Sequence, residues 1–289
     1  MAKPLELIFS SVDGLDLYLD VYLPSTDTGT TKVPVLLWWH AVEKYGICVV
    51  SADYRLAPQS RLPAILADCK AAMEFVQSPA FAEATSNSVD SAKLVVSGSS
   101  AGGWLSLLNG TGIGYAACGL DPPPRVLGIA ALYPITDLAD PFWTTKQRPV
   151  SYFPRVIPDE EVASFVDPTS AKISFTTPES PRSVLYHYMV QEGILEKLLL
   201  EGTGISASAV AIAPQIKTGK FDVPPVYQIH GDIDDKVPCQ QARDVEAALR
   251  EINGVEHVYE ELPGVDHLFD KDASYGMENM YAFVQRVTK

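Results

Sequence analysis

The stretch that decides the fold is Leu94-Val95-Val96-Ser97-Gly98-Ser99-Ser100-Ala101-Gly102-Gly103. A short apolar run enters a glycine–serine turn, and helical spacing then runs from Ala101 to Leu108. Glycines at 98 and 102 suit a strained strand-to-helix turn in which neighbouring backbone leaves no room for a Cβ. Such a turn lifts the Ser100 hydroxyl above a sheet edge, at a helix N-terminus whose dipole favours developing negative charge. Ser100 is therefore the candidate nucleophile, and the Ala101 amide beside it a candidate oxyanion donor. Ser99 falls in the variable slot of G-x-S-x-G and is assigned a packing role.

Working outward, the runs Val33–His40, Ile47–Asp53, Val126–Tyr133 and Val223–His230 are also continuously apolar. Between and after them, Ala64–Val76, Gln240–Ile252 and Ser274–Val287 carry helical spacing. Continuous apolar strands alternating with helices predict a parallel sheet buried on both faces. Two alternating runs, Leu5–Ser10 and Leu15–Tyr22, flank Asp13-Gly14 and predict an antiparallel hairpin leading into it. The fold class is therefore α/β, with a mostly parallel central sheet flanked by helices. From about Asp137 to Phe221 the rhythm breaks into a Pro- and aromatic-rich stretch with amphipathic segments at Asp159–Val166 and Arg182–Leu200. This predicts a core domain of residues 1–136 and 222–289, with 137–221 inserted as a lid over the carboxyl edge of the sheet.

Composition narrows the function. The 289 residues are 47% hydrophobic and 20% charged, ordinary for a globular protein with a sizeable core. The net charge of −14 disfavours nucleic acid and anionic membrane surfaces as partners. No apolar stretch approaches the roughly 18 residues of a membrane span. The first residues read as a strand rather than a signal peptide. The four cysteines are scattered without a C-x-x-C pair, which gives a zinc site no support and points to a reducing, cytoplasmic setting.

A serine hydroxyl needs a base. Of five histidines, only His267 lies late in the chain in a turn, between the strand-like run Val255–Leu262 and the last helix. His257 lies inside that strand and reads as structural. His187 reads as a packing or surface residue of the lid, and His230 ends a strand and holds the following turn. An acid between serine and histidine, just after a strand, completes the order Ser…Asp…His. His230-Gly-Asp-Ile-Asp-Asp-Lys-Val-Pro238 offers Asp232, Asp234 and Asp235, and Asp234 is the choice because it lies just past the turn. Its role is to fix the His267 tautomer and stabilise the imidazolium.

The segments Asp53–Pro58 (DYRLAP), Gly98–Gly103, Tyr133–Asp137 (YPITD), His230–Pro238 and Gly264–Phe269 (GVDHLF) together resemble the hormone-sensitive-lipase-like branch of the α/β-hydrolases. The resemblance implies carboxylic ester hydrolysis by Ser100, Asp234 and His267, with a lid over an acyl pocket and no cofactor. It also implies a glycine-rich H-G-G-G oxyanion segment starting at His40. Here His40 is followed by Ala41-Val42-Glu43-Lys44-Tyr45-Gly46 and then the next strand. Six residues reach about 20 Å when extended, whereas a parallel crossover takes a dozen or more. The segment reads as the tail of a helix whose beginning is missing, either through a true deletion or through a loop left out of the sequence. Intact-mass measurement distinguishes the two: 31.4 kDa, the mass of these 289 residues, is the outcome expected of a true deletion.

The leading reading is a serine carboxylesterase acting on a small-molecule ester or thioester with a hydrophobic acyl or aromatic part. A thioesterase, lactonase or acyltransferase of a biosynthetic pathway shares the same logic. A binding protein that has lost catalysis is the reading of a different class. The residues leave the natural substrate and the oligomeric state open.

Overall fold

A computed structural model describes residues 3–24, 32–39, 46–177, 179–272 and 274–289. Eight strands form one sheet: β1 (Leu5–Val12), β2 (Leu15–Tyr22), β3 (Val33–Trp39), β4 (Cys48–Ala52), β5 (Val89–Ser99), β6 (Gly128–Leu132), β7 (Val226–Gly231) and β8 (His257–Leu262). Their spatial order is β1-β2-β4-β3-β5-β6-β7-β8. The β1–β2 hairpin turns at Asp13-Gly14 as expected, and β2 runs antiparallel to β4. From β4 to β8 every pairing is parallel.

The parallel strands are apolar throughout because both faces are covered. Val35, Leu37, Val50, Leu94, Val96, Ile129 and Val226 point to one apolar cluster. It is shared with α1 (Leu62–Val76), α2 (Pro79–Ala84) and α3 (Ala101–Thr111). Their alternating neighbours Leu36, Trp38, Val49, Val95, Ala130, Tyr227 and Ile229 enter a second cluster on the opposite face. That face is closed by α10 (Glu278–Val287) through Met280, Phe283 and Val284.

Residues 137–221 contribute α4 (Pro141–Thr144), α5 (Asp159–Val166), α6 (Val184–Glu192), α7 (Leu195–Leu200) and α8 (Ile212–Lys217), before β7 returns the chain to the sheet and α9 (Gln240–Arg250) follows it. The single amphipathic segment expected over 182–200 is two helices, because the chain leaves α6 through Gly193 at φ +63°. Trp143, Val162, Val190, Leu198 and Ile212 share the first apolar cluster with the sheet. Polar contacts add to this. Gln59 Nε2 donates to the carbonyls of Phe165 (3.0 Å) and Asp167 (2.7 Å), and Arg182 donates to Gln59 Oε1 at 2.9 Å. Gln59 follows the Asp53–Pro58 segment, which is itself anchored by Arg55 on the buried Asp68 at 2.8 Å. Residues 137–221 are thus tied to the core by both apolar and polar contacts.

Register brings the functional loops to one edge. Ser99 of β5 pairs with Leu132 of β6, and Leu132 with Ile229 of β7. His230 of β7 pairs with Glu261 of β8. The residues that follow these strand ends therefore emerge side by side at the carboxyl edge, where open α/β sheets present their reactive groups. β3 and β4 are parallel neighbours, with Leu36 opposite Val49. Residues 40–45, which join them, lie outside the described residues.

Candidate active site

Ser100 sits between the last residue of β5 and the first of α3 with φ +56° and ψ −119°. A non-glycine residue in that region costs energy and persists only when its surroundings impose it. Here the Ser100 amide donates to Leu132 O at 2.9 Å, and its carbonyl accepts from Trp104 N at 3.2 Å. Gly98 permits the turn: a Cβ there would lie 2.4 Å from the carbonyl carbon and oxygen of Gly102. Ala101 opens α3 and is exposed, in the first helical turn where amides have no intrahelical acceptor. Ser99 is buried and packs beneath the turn, in line with its expected role.

The structure brings Asp234 and His267 together. His267 Nδ1 lies 2.6 Å from Asp234 Oδ2, and both side chains are almost wholly buried. The other carboxylate oxygen, Oδ1, accepts from the amides of Lys236 (2.8 Å) and Val237 (2.9 Å). The tight turn of the acid loop depends on Gly231, where a Cβ would meet Val265 O at 2.1 Å. The two rival acids have other partners. Asp232 accepts from the Gly264 amide at 2.6 Å, while Asp235 is paired with Lys236. Burial works against an ionised Asp234, but hydrogen bonds from His230 and His267 outweigh it and hold the carboxyl well below the usual carboxylate range.

Two residues matter more than sequence reasoning indicates. Tyr133, the residue after β6, lies at φ +34° with its ring 4.3 Å from the His267 imidazole. Its hydroxyl is bonded to Asp270, and burial with that carboxylate pushes the phenol far up, so it stays protonated. The family-like segment YPITD contains it, but nothing in the pattern indicates a ring contact with His267. His230 was expected to hold the following turn, and it does: Nε2 lies 3.0 Å from Val237 O. The same nitrogen lies 3.2 Å from Asp234 Oδ2, a contact visible only in the fold.

The remaining expectations divide. His257 is structural, with Nδ1 3.2 Å from Val255 O. His187 packs in an aromatic group, stacked on Phe153 at 4.3 Å and edge-on to Tyr152 and Tyr186. That group adjoins the acid loop, because the Tyr186 hydroxyl donates to Lys236 O at 2.7 Å and Lys236 Nζ lies 4.4 Å over the Tyr152 ring. His40 and the oxyanion donor expected beside it fall outside the described residues.

Comparisons with known proteins bear out the fold. A family model described as the alpha/beta hydrolase fold matches residues 29–170. Esterase 2 of Thermogutta terrifontis superposes with a TM-score of 0.64 at 18% identity, covering 99% of this chain and 94% of that one. A Staphylococcus aureus protein of unknown function superposes at 0.69 with 19% identity, covering 99% and 100%. Among curated proteins, the non-reducing polyketide synthase ausA of Aspergillus calidoustus is 28% identical over 296 residues, covering 82% of this chain and 12% of the synthase. The corresponding synthase ascC of Acremonium egyptiacum is 29% identical over 285 residues, covering 85% and 13%. The chain thus matches only about an eighth of the length of these relatives.

Proposed function

We propose that this chain, which has the α/β-hydrolase fold, cleaves carboxylic esters through an acyl-enzyme on Ser100. The observation that carries the reading is the 2.6 Å contact between His267 Nδ1 and Asp234 Oδ2 at the sheet edge where the strained Ser100 turn emerges. His267 takes the Ser100 proton as the hydroxyl attacks the acyl carbon, then passes it to the leaving group. Asp234 fixes the proton on Nδ1, leaving Nε2 as base, and stabilises the imidazolium. The Ala101 amide supplies one donor to the oxyanion. Water then attacks the acyl carbon by the same proton path and frees Ser100.

The substrate reading is a small hydrophobic acyl ester. Tyr152, Phe153 and Tyr186, packed beside the acid loop, support an aromatic-lined wall, with residues 137–221 acting as its lid. No helix among the described residues is long and apolar enough to cross a membrane. The proposed setting is reducing and cytoplasmic, in keeping with four free cysteines. The Thermogutta terrifontis esterase is described in complex with propionate and phosphoramylated by tabun, which supports the esterase reading by analogy of fold.

The match to polyketide synthases favours a second reading, acyl transfer from a thioester to water or to another acceptor. Steady-state hydrolysis of short p-nitrophenyl esters, beside the matching N-acetylcysteamine thioesters, tests both. The first reading expects turnover of the oxygen esters that disappears in Ser100→Ala. Turnover that survives Ser100→Ala contradicts both readings, and turnover confined to thioesters selects the second.

A further inference from the structure

We propose that His230 is a positioning residue for the acid, donating from Nε2 to the same Asp234 oxygen that receives His267, so that one carboxylate oxygen holds two imidazoles. This rests on the triad reading above and deepens it. His230, the residue before the end of β7, has no exposed surface, and its Nε2 lies 3.2 Å from Asp234 Oδ2 and 3.0 Å from Val237 O. Two oxygens within reach of one ring nitrogen require a proton on it, because an unprotonated Nε2 would set its lone pair against both. The other ring nitrogen, Nδ1, is buried with no hydrogen-bond partner among the described residues. A proton there would bury an unsatisfied donor at the full desolvation cost. The arrangement therefore selects the neutral tautomer with hydrogen on Nε2, shared between the carboxylate and the Val237 carbonyl.

The consequence is that both carboxylate oxygens of Asp234 are held. Oδ1 is held by the amides of Lys236 and Val237, and Oδ2 by the two histidines. The carboxylate cannot rotate away from His267 without breaking a buried contact. Its negative charge is also divided, so that His267 faces an acid already partly satisfied. The charged and titratable groups around His267 are Asp234, Asp235 and Lys236 on the acid loop, Asp266 and Asp270 on its own loop, and Tyr133 after β6. None of these can replace the His230 donor, since the only cation among them, Lys236, is engaged by Asp235 and Asp266.

The experiment uses the whole chain with His230→Leu and His230→Gln, Gln being able to present an amide N–H at the position of Nε2. His230→Leu should lower kcat about ten- to a hundredfold, the size of a hydrogen bond to a charged group. KM should stay within about threefold. The acidic limb of the kcat/KM profile should move to higher pH, because the undivided Asp234 charge then stabilises the His267 imidazolium. His230→Gln should restore most of kcat and the original limb. A His230→Leu enzyme with the parental kcat and limb overturns the proposal, as does an equal loss in both variants with an unmoved limb. Nitrogen-15 histidine NMR of the unmodified protein decides even if His230→Leu does not fold. Hydrogen on Nε2 and an unprotonated Nδ1 are expected, and hydrogen on Nδ1 refutes the assignment. Activity that survives Asp234→Asn or Ser100→Ala would instead defeat the triad reading, and the tautomer result would stand apart from it.

Discussion

The Ser100 turn and the Asp234 loop emerge from the same sheet edge, yet they are fixed by opposite means. Ser100 is held by backbone: a positive φ, an amide bonded to Leu132 O, and a missing Cβ at Gly98. Asp234 is held by what its carboxylate accepts, from two amides and two imidazoles. Ser100 is therefore sensitive to atoms added nearby, and Asp234 to donors taken away. A steric device gives no warning in the pattern of polar residues, whereas a polar device gives none in the pattern of glycines.

The largest expected effect breaks the polar side. Asp234→Asn should lower kcat for p-nitrophenyl ester hydrolysis by about 10⁴, because the amide can hold His267 in the wrong tautomer. A fold retained by circular dichroism with a loss under a hundredfold would remove Asp234 from the account. Next comes the steric side. Gly98→Ala sets a Cβ 2.4 Å from backbone that has no room to yield, so it should cost about 1–3 kcal/mol in urea unfolding and lower activity as well. Unchanged stability would show that the turn tolerates a side chain after all.

How much of this was legible depends on the same distinction. The β1–β2 hairpin, the parallel strands and α3 follow from Asp13-Gly14, from continuous apolar runs and from the turn at Gly98. Of the three neighbouring acids, Asp234 is the one that meets His267, while Asp232 and Asp235 have other partners. What was not legible is contact between residues far apart in sequence. His230 reads as a turn residue because its bond to Val237 is local, while its approach to Asp234 Oδ2 depends on how the loop folds back. Tyr133 reads as the polar end of an apolar strand, and its ring contact with His267 spans 134 positions that no periodicity links. The break at Gly193 hid in a segment whose apolar spacing continues on both sides.

A milder variant separates ring from hydroxyl at Tyr133. Tyr133→Phe keeps the ring against His267 and removes only the bond to Asp270, a carboxylate outside the proposed triad, so kcat should fall less than tenfold. A hundredfold fall would give the hydroxyl a larger share than its contact suggests.

The smallest effects are shifts with pH, and two carboxylates give them opposite signs. Asp234 has a folded pKa below its unfolded value of about 3.9. Its contribution to stability is complete above that range and is lost as pH falls below it. The gap in Tm between the parent and Asp234→Asn should therefore narrow below about pH 4. Asp53 is pushed up to about 6 by burial, reinforced by the nearby Asp20 and Glu6 carboxylates. Its ionisation weakens the fold as pH rises through that value, so Asp53→Asn should raise Tm at pH 8 and make no difference below pH 4. Tm gaps with the reverse signs would show that these environments have been misread.

The most direct measurement of the central claim is labelling with a fluorophosphonate probe, read by intact mass and peptide mapping. One adduct on Ser100 is expected, absent in Ser100→Ala and slowed at least a hundredfold in Asp234→Asn. A chain that stays unlabelled, or that carries the adduct on another serine, contradicts the assignment of Ser100, Asp234 and His267 as a working unit.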